Sequence, residues 1–270
     1  MGRIHIGVDT IPRIVAADAA FTQYNAIRAL RLEDGHVERR QIGGAIALRD
    51  PAHTNTYYNR VLAFGSAECE HLPEIAAFHN DIGKASILDL TPDCLTSDVI
   101  DLLRAHQYAF SGSTHIFAMA CSPDHERVTG FSIRRARPDD IHSLAALWSQ
   151  GEPFQDKELI LAKRTAAQFV PEFPTYVTTV DGRTVAMAST FIHEDVAWLG
   201  NATTDTQYQG RGIQLAMLAH RIRDAAQMGC TLAVTDTGFD TISHRNVERA
   251  GFMFAYTALA FTGVTPVESA

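Results

Sequence analysis

The chain has 270 residues, is 46% hydrophobic and carries a formal net charge of −8. That length fits one large domain or two ordinary ones, with enough apolar residues for packed cores. The acidic balance speaks against a nucleic-acid partner, which needs clustered Lys and Arg, and mildly favours a cationic amine.

No apolar stretch approaches the ~18–20 residues that span a bilayer, so no membrane partner is expected. The N-terminus lacks a basic-then-apolar signal sequence, and Ile6 stands where myristoylation requires Ser or Thr. Cys69, Cys94, Cys121 and Cys230 lie far apart, form no C-x-x-C pair and read as buried, reduced thiols. A cytoplasmic protein is expected. The 12 histidines show neither H-E-x-x-H nor another ligand spacing, so no metal is expected.

In chain order, Ile14 to Leu32 predicts a helix, and Val37 to Leu48 a strand interrupted by Gly43-Gly44. Arg60 to Gly65 is an apolar run. It is followed by a helix near Cys69–Asn80, a strand at Ser86–Leu90, a helix near Ser97–Ala105 and a strand at Tyr108–Ala120. The polar stretch Ser122 to Arg127, with its turn-forming Pro-Asp, divides the chain into domains 1–122 and 128–270. Val128–Arg134 predicts a strand. Pro138-Asp139-Asp140 then opens a helix through Trp148, with proline in the first turn and acids beside the positive end of the dipole.

Val196 to Thr204 is apolar and β-branched, a further strand. After it comes Gln207-Tyr208-Gln209-Gly210-Arg211-Gly212, at the mouth of a helix. Leu215, Leu218, Ile222 and Ala225/Ala226 recur at helical spacing, with Gln214, His220, Arg221, Arg223, Asp224 and Gln227 on the other face. Gly229 stops that helix. Thr231–Thr235 predicts a strand running out into a polar turn at Asp236-Thr237. A short helix and turn follow from Ser243 to Phe252, then a last strand from Phe254 to Phe261.

The six-residue loop carries the chemistry. Glycines let backbone amides approach a ligand closely, the first-turn donors of a helix are unpaired, and the dipole adds positive charge there. Such a turn cradles phosphate, and Arg211 adds a fixed cation, so a pyrophosphate is expected. The dinucleotide fingerprint fails at Leu215, where it needs glycine. The ATP loop fails at Phe78, five residues before Gly83-Lys84.

The pattern Gln/Arg-x-x-Gly-x-Gly/Ala, followed by helix, strand, short helix and Ala250-Gly251-Phe252, resembles the acyl-CoA site of the GNAT superfamily of N-acetyltransferases across roughly residues 130–262. The resemblance implies an α/β fold (an α+β mixed sheet), mostly antiparallel and flanked by helices. The first half repeats the order strand, helix, strand, helix, closing strand, with Ala105-His106-Gln107-Tyr108 where Ala250-Gly251-Phe252 falls. It has Ser66-Ala67-Glu68-Cys69-Glu70 in place of the glycine loop, and two carboxylates there repel phosphate. Residues 1–122 thus read as a second, degenerate GNAT-like domain, a tandem arrangement known in mycothiol synthase-like proteins. The alternative is an unrelated α+β domain with the same alternation.

The resemblance further implies acetyl-CoA as co-substrate. Backbone groups of Ala202, Thr203 and Thr204 would pair with pantetheine amides. Gln207, Tyr208, Gln209, Gly210, Arg211 and Gly212 would take the pyrophosphate, with Ile213 opening the helix. Ser243 and Asn246 match positions that hydrogen-bond the cofactor arm, although Ser243 can equally cap its helix. The family's tyrosine acid, four residues before the Gly-Phe glycine, is replaced by Val247. Tyr256 is the nearest substitute in sequence and Tyr208 another, while Glu194 matches the position of a base acting through water. His193-Glu194-Asp195 also reads as a plain hairpin turn. Trp148, Glu152, Phe154 and Tyr176 are candidates for the acceptor pocket.

The function expected is direct acetyl transfer in a ternary complex to a primary amine, on a small molecule or a peptide N-terminus. A homodimer is left open. The alternatives are a non-catalytic acyl-CoA-binding regulatory module and a CoA-independent aminoacyl transferase.

Overall fold

Glycine splits the first strand-like run. Gly43 takes φ +59°, a conformation that costs glycine little. It turns β1 (Glu38–Ile42) back on β2 (Ala45–Arg49) as an antiparallel hairpin. The computed structural model of the protein describes residues 6–29, 36–52, 55–126, 130–149 and 156–264.

The first half continues from helix α1 (Ile11–Ile27) and that hairpin into β3 (Arg60–Leu62), α2 (Leu72–Asn80), β4 (Ile87–Leu90), α3 (Ser97–Ala105) and β5 (Ala109–Ala120). The second runs β6 (Ser132–Arg135), α4 (Ile141–Trp148), α5 (Lys157–Gln168), β7 (Thr175–Val180), β8 (Arg183–His193) and β9 (Val196–Thr204). It closes with α6 (Ile213–Gln227), β10 (Leu232–Thr237), α7 (Ile242–Arg249) and β11 (Met253–Thr262). The first helix ends five residues before Leu32, and residues 30–35 lie outside the described ones. The strand expected from Val128 begins at Ser132, with 127–129 likewise outside.

The described residues fall into two compact units. One holds 6–27, 36–116 and 255–264, the other 28–29 and 117–254. The polar stretch at 122–127 marks the middle of the sequence, yet the units divide inside β5 and β11. Residues 255–264 go with the N-terminal unit because Leu259 to Thr262 pair antiparallel with Leu90 to Ile87 of β4.

In the N-terminal unit β1, β2 and β3 are antiparallel neighbours, and β4 lies parallel to β3 after the α2 crossover. Leu72, Ile75 and Phe78 recur at helical spacing on α2 and pack with Val99 and Leu103 of α3 against Val61, Leu88 and Leu90. Val15, Ala19 and Ala26 of α1 cover Ile46, Leu48 and Leu62. The second unit repeats the scheme. β6, β7, β8 and β9 are antiparallel neighbours, and β10 lies parallel to β9 after the α6 crossover. Leu218 and Ile222 of α6 pack with Val247 of α7 on Ala197, Leu199 and Ala233. Leu144 and Leu147 of α4 pack on Val177 and Met187.

The two crossovers differ at their mouths. At the start of α2 the carboxylate of Glu68 accepts the amide of Gly65 at 2.9 Å and that of Gly44 at 3.2 Å. An internal anion thus binds backbone amides of the turn that leads into α2 and of the β1–β2 hairpin. Removing it strands those donors, at a cost of about 1 kcal/mol. Glu68→Ala is therefore expected to lower the unfolding free energy by about 1 kcal/mol, read as a lower urea midpoint at unchanged m-value.

Candidate functional site

β9 ends in an aspartate turn. Asp205 accepts from the Gln207 amide at 3.0 Å and pairs with Arg183 at 2.5 Å, starting the loop at a fixed angle. Gln209 Nε2 donates to Thr204 O at 3.3 Å, and Gln214 Nε2 to Thr204 Oγ1 at 2.7 Å, tying loop and helix back to the strand end. Gly210 and Gly212 take φ +74° and +84°. A Cβ at either would meet no atom within 4 Å, so the backbone angle rather than crowding calls for glycine.

Gly212 is the N-cap of α6 and has no side chain with which to cap it. Among the described residues, the amides of Ile213, Gln214 and Leu215 have no intramolecular acceptor. Arg211 is exposed, lies 4.8 Å from the Tyr208 ring centroid and donates to Gln207 O at 3.1 Å. No carboxylate pairs with it among the described residues. A 15-residue helix dipole, open amides and a cation that no described carboxylate neutralises converge on one turn.

Beside this turn two strands part. β9 and β10 are in register at Val196–Leu232, Ala197–Ala233 and Trp198–Val234. One residue on, the Thr235 hydroxyl donates to Leu199 O at 2.8 Å, and the ladder goes no further. On its other edge β9 carries a bulge opposite Ala188, between the pairs Ser189–Gly200 and Met187–Thr203, and Asn201 within it takes φ +50°. Ala202, Thr203 and Thr204 then line a cleft of about 620 Å³ with Leu147, Trp148, Thr206 and Gln209.

The structure thus brings Ala202, Thr203, Thr204 and the stretch Gln207 to Ile213 together. Asn246 is half-buried and Ser243 exposed on α7. Ser243 does not cap that helix, because the Thr241 hydroxyl accepts from the His244 amide. Glu194 sits in a two-residue hairpin turn at φ +53°, separated from the loop by the length of β9, about 26 Å. Tyr256 lies buried in the N-terminal unit, where burial, Asp18 and Asp89 raise its pKa.

Of the acceptor-pocket candidates, Trp148 lines the cleft. Tyr176 does not, being fully buried with its hydroxyl donating to Asp224; burial and that carboxylate raise its pKa. Glu152 and Phe154 lie outside the described residues. Two positions escape a reading by pattern. Asp205 carries a local signal, an Asp two residues before the donor it accepts. Arg221, placed on the polar face of α6 by spacing, is 1% exposed.

Among the described residues no group of three His, Cys, Asp or Glu side chains is placed to hold a metal, and no helix is long and apolar enough to cross a membrane.

Residues 139–252 match the model of the acetyltransferase (GNAT) family. Solved structures share the fold over most of the chain. A GCN5-related N-acetyltransferase from Kribbella flavida is 16% identical, covering 92% of this chain and 95% of its own, with TM-score 0.62. A tandem GNAT protein from the clavulanic acid biosynthesis pathway is 9% identical, covering 99% and 98%, with TM-score 0.61. A GCN5-related N-acetyltransferase from Sphaerobacter thermophilus is 16% identical, covering 95% and 92%, with TM-score 0.56. No curated protein matches the sequence.

The cysteines of this unit are held as thiols. Burial, with Cys230 and Asp195 nearby, pushes Cys121 up to about 12; burial and Asp195 push Cys230 up to about 11. The thiolate is the reactive form. Iodoacetamide at pH 8 is therefore expected to alkylate both at least tenfold more slowly in the folded protein than in urea.

Proposed function

We propose, from the match of residues 139–252 to the model of the acetyltransferase (GNAT) family, that the protein transfers the acetyl group of acetyl-CoA to a primary amine. The observation that carries this reading is the uncapped N-terminus of α6, with Arg211 beside it, opening onto the cleft where β9 leaves β10. The open amides and the arginine suit a pyrophosphate. Backbone of Ala202–Thr204, on the edge that β10 leaves unpaired, suits the amides of a pantetheine arm. Gln207, Tyr208 and Gln209 complete the turn, Ile213 opens the helix, and Asn246 and Ser243 of α7 are assigned to the arm.

The reaction is direct. The amine nitrogen bonds to the thioester carbonyl carbon, the C–S bond breaks, and the products are an amide and the CoA thiol. The amine gives up a proton and the departing thiolate takes one, with water in the open cleft as the carrier. No side chain is assigned to either transfer, since Val247 fills the usual tyrosine position. A covalent enzyme intermediate is not invoked, given that Cys121 and Cys230 are held protonated. The acceptor is a small-molecule amine or a peptide N-terminus. Four free cysteines suit a reducing, cytoplasmic setting.

The same Val247 favours one alternative, a module that binds acyl-CoA without turnover. Release of CoA thiol in the presence of candidate amines separates the two. The primary test is calorimetric titration with acetyl-CoA of the wild type, Gly210→Glu and Gly212→Glu. Each variant combines a strained positive φ with a carboxylate beside phosphate, and each is expected to weaken binding at least tenfold. A wild type that binds no acetyl-CoA overturns the reading and revives a CoA-independent transfer.

A further inference from the structure

Arg221 is the feature of α6 that the helix itself does not need. Its guanidinium is buried to 1% exposure, and no carboxylate pairs with it among the described residues. Its partners are carbonyls. Nη1 donates to Ser189 O at 2.9 Å and to Gly200 O at 3.3 Å, and Nε to Met217 O at 3.4 Å within the helix. A lone buried cation is costly, and an apolar residue of similar volume is often neutral or better for stability.

Ser189 and Gly200 are the pair that borders the β8–β9 bulge. Where one strand carries an extra residue, ladder bonding is broken and buried carbonyls need another donor. One nitrogen of Arg221 serves both strands at that border. Arg221 also stands eight residues, or about 12 Å, along α6 from Ile213. The element that presents the open amides is thus the same rod that grips the bulge from which Ala202–Thr204 emerge.

We infer that Arg221 is a positioning residue, a clamp that holds the β8–β9 bulge and sets Ala202–Thr204 at a fixed offset from the N-terminus of α6. The inference rests on the reading of this cleft as an acyl-CoA site for its functional consequence, but not for the clamp itself. The arginine need not touch the ligand. It keeps the strand half and the helix half of the site in register, so that one ligand meets both. Burial draws the guanidinium down to about 10, which leaves it a cation at neutral pH.

The test uses the full chain with Arg221→Met and Arg221→Lys, and two readouts. Amide hydrogen exchange in the unliganded protein examines the clamp alone. Over 199–204 it is expected to speed at least tenfold in Arg221→Met, with 242–249 unchanged. Calorimetry then compares acetyl-CoA with ADP, which has a pyrophosphate but no pantetheine. The methionine variant is expected to bind acetyl-CoA at least tenfold more weakly and ADP within twofold of wild type. The lysine variant, able to donate to one carbonyl, should fall between. If Arg221→Met does not fold, the lysine variant carries both readouts, with changes of about threefold expected in the same directions.

Unchanged exchange over 199–204 overturns the clamp. Changed exchange with unaltered acetyl-CoA affinity overturns its role in the site, as does equal loss of both ligands with a lowered Tm. A wild type that binds neither ligand overturns the acyl-CoA reading instead, and the exchange result still decides the clamp.

Discussion

The parting of β9 from β10 after three residue pairs is the constraint on which the rest of the site depends. Parallel neighbours this short would ordinarily continue their ladder, since every buried backbone group left unpaired costs free energy. Here a threonine hydroxyl closes the ladder at Leu199, and a bulge on the opposite edge turns the strand away. The open stretch that follows is tolerable because it faces a cleft rather than packed protein. A glycine cap then leaves the next three amides without an acceptor.

The two units solve one problem in opposite ways. Each has an antiparallel meander, a helical crossover and a single parallel step. Before the N-terminal crossover Glu68 brings its own carboxylate to the amides of Gly65 and of Gly44 in the β1–β2 hairpin. At the other, Gly210-Arg211-Gly212 offers amides and a cation with no internal anion to receive them. A turn that supplies its own anion gains stability, and one that withholds it keeps a place for a ligand's.

Much of this was legible in the residues. The glycine loop, the α6 stripe, the Gly229 stop and the Gly43-Gly44 hairpin are local signals, because backbone angle and helical spacing are written within a few positions. α5, β7 and β8 were not read. β8 is buried on both faces from Val185 to Phe191, which erases the alternation that marks a half-exposed strand. Arg221 was misplaced because spacing assigns a charged residue to solvent, whereas a bulge 20 residues upstream supplied carbonyls for it. Nothing local in Phe254–Phe261 says which strand it pairs with, and one partner, β4, lies far earlier in the chain.

A crystal structure of the protein with acetyl-CoA tests the central claim most directly. The account predicts pyrophosphate oxygens within hydrogen-bonding distance of the amides of 210–215, and the pantetheine arm along Ala202–Thr204. Pyrophosphate seated instead at the Ser66–His71 turn, or a cleft that admits no ligand at saturating acetyl-CoA, would contradict it.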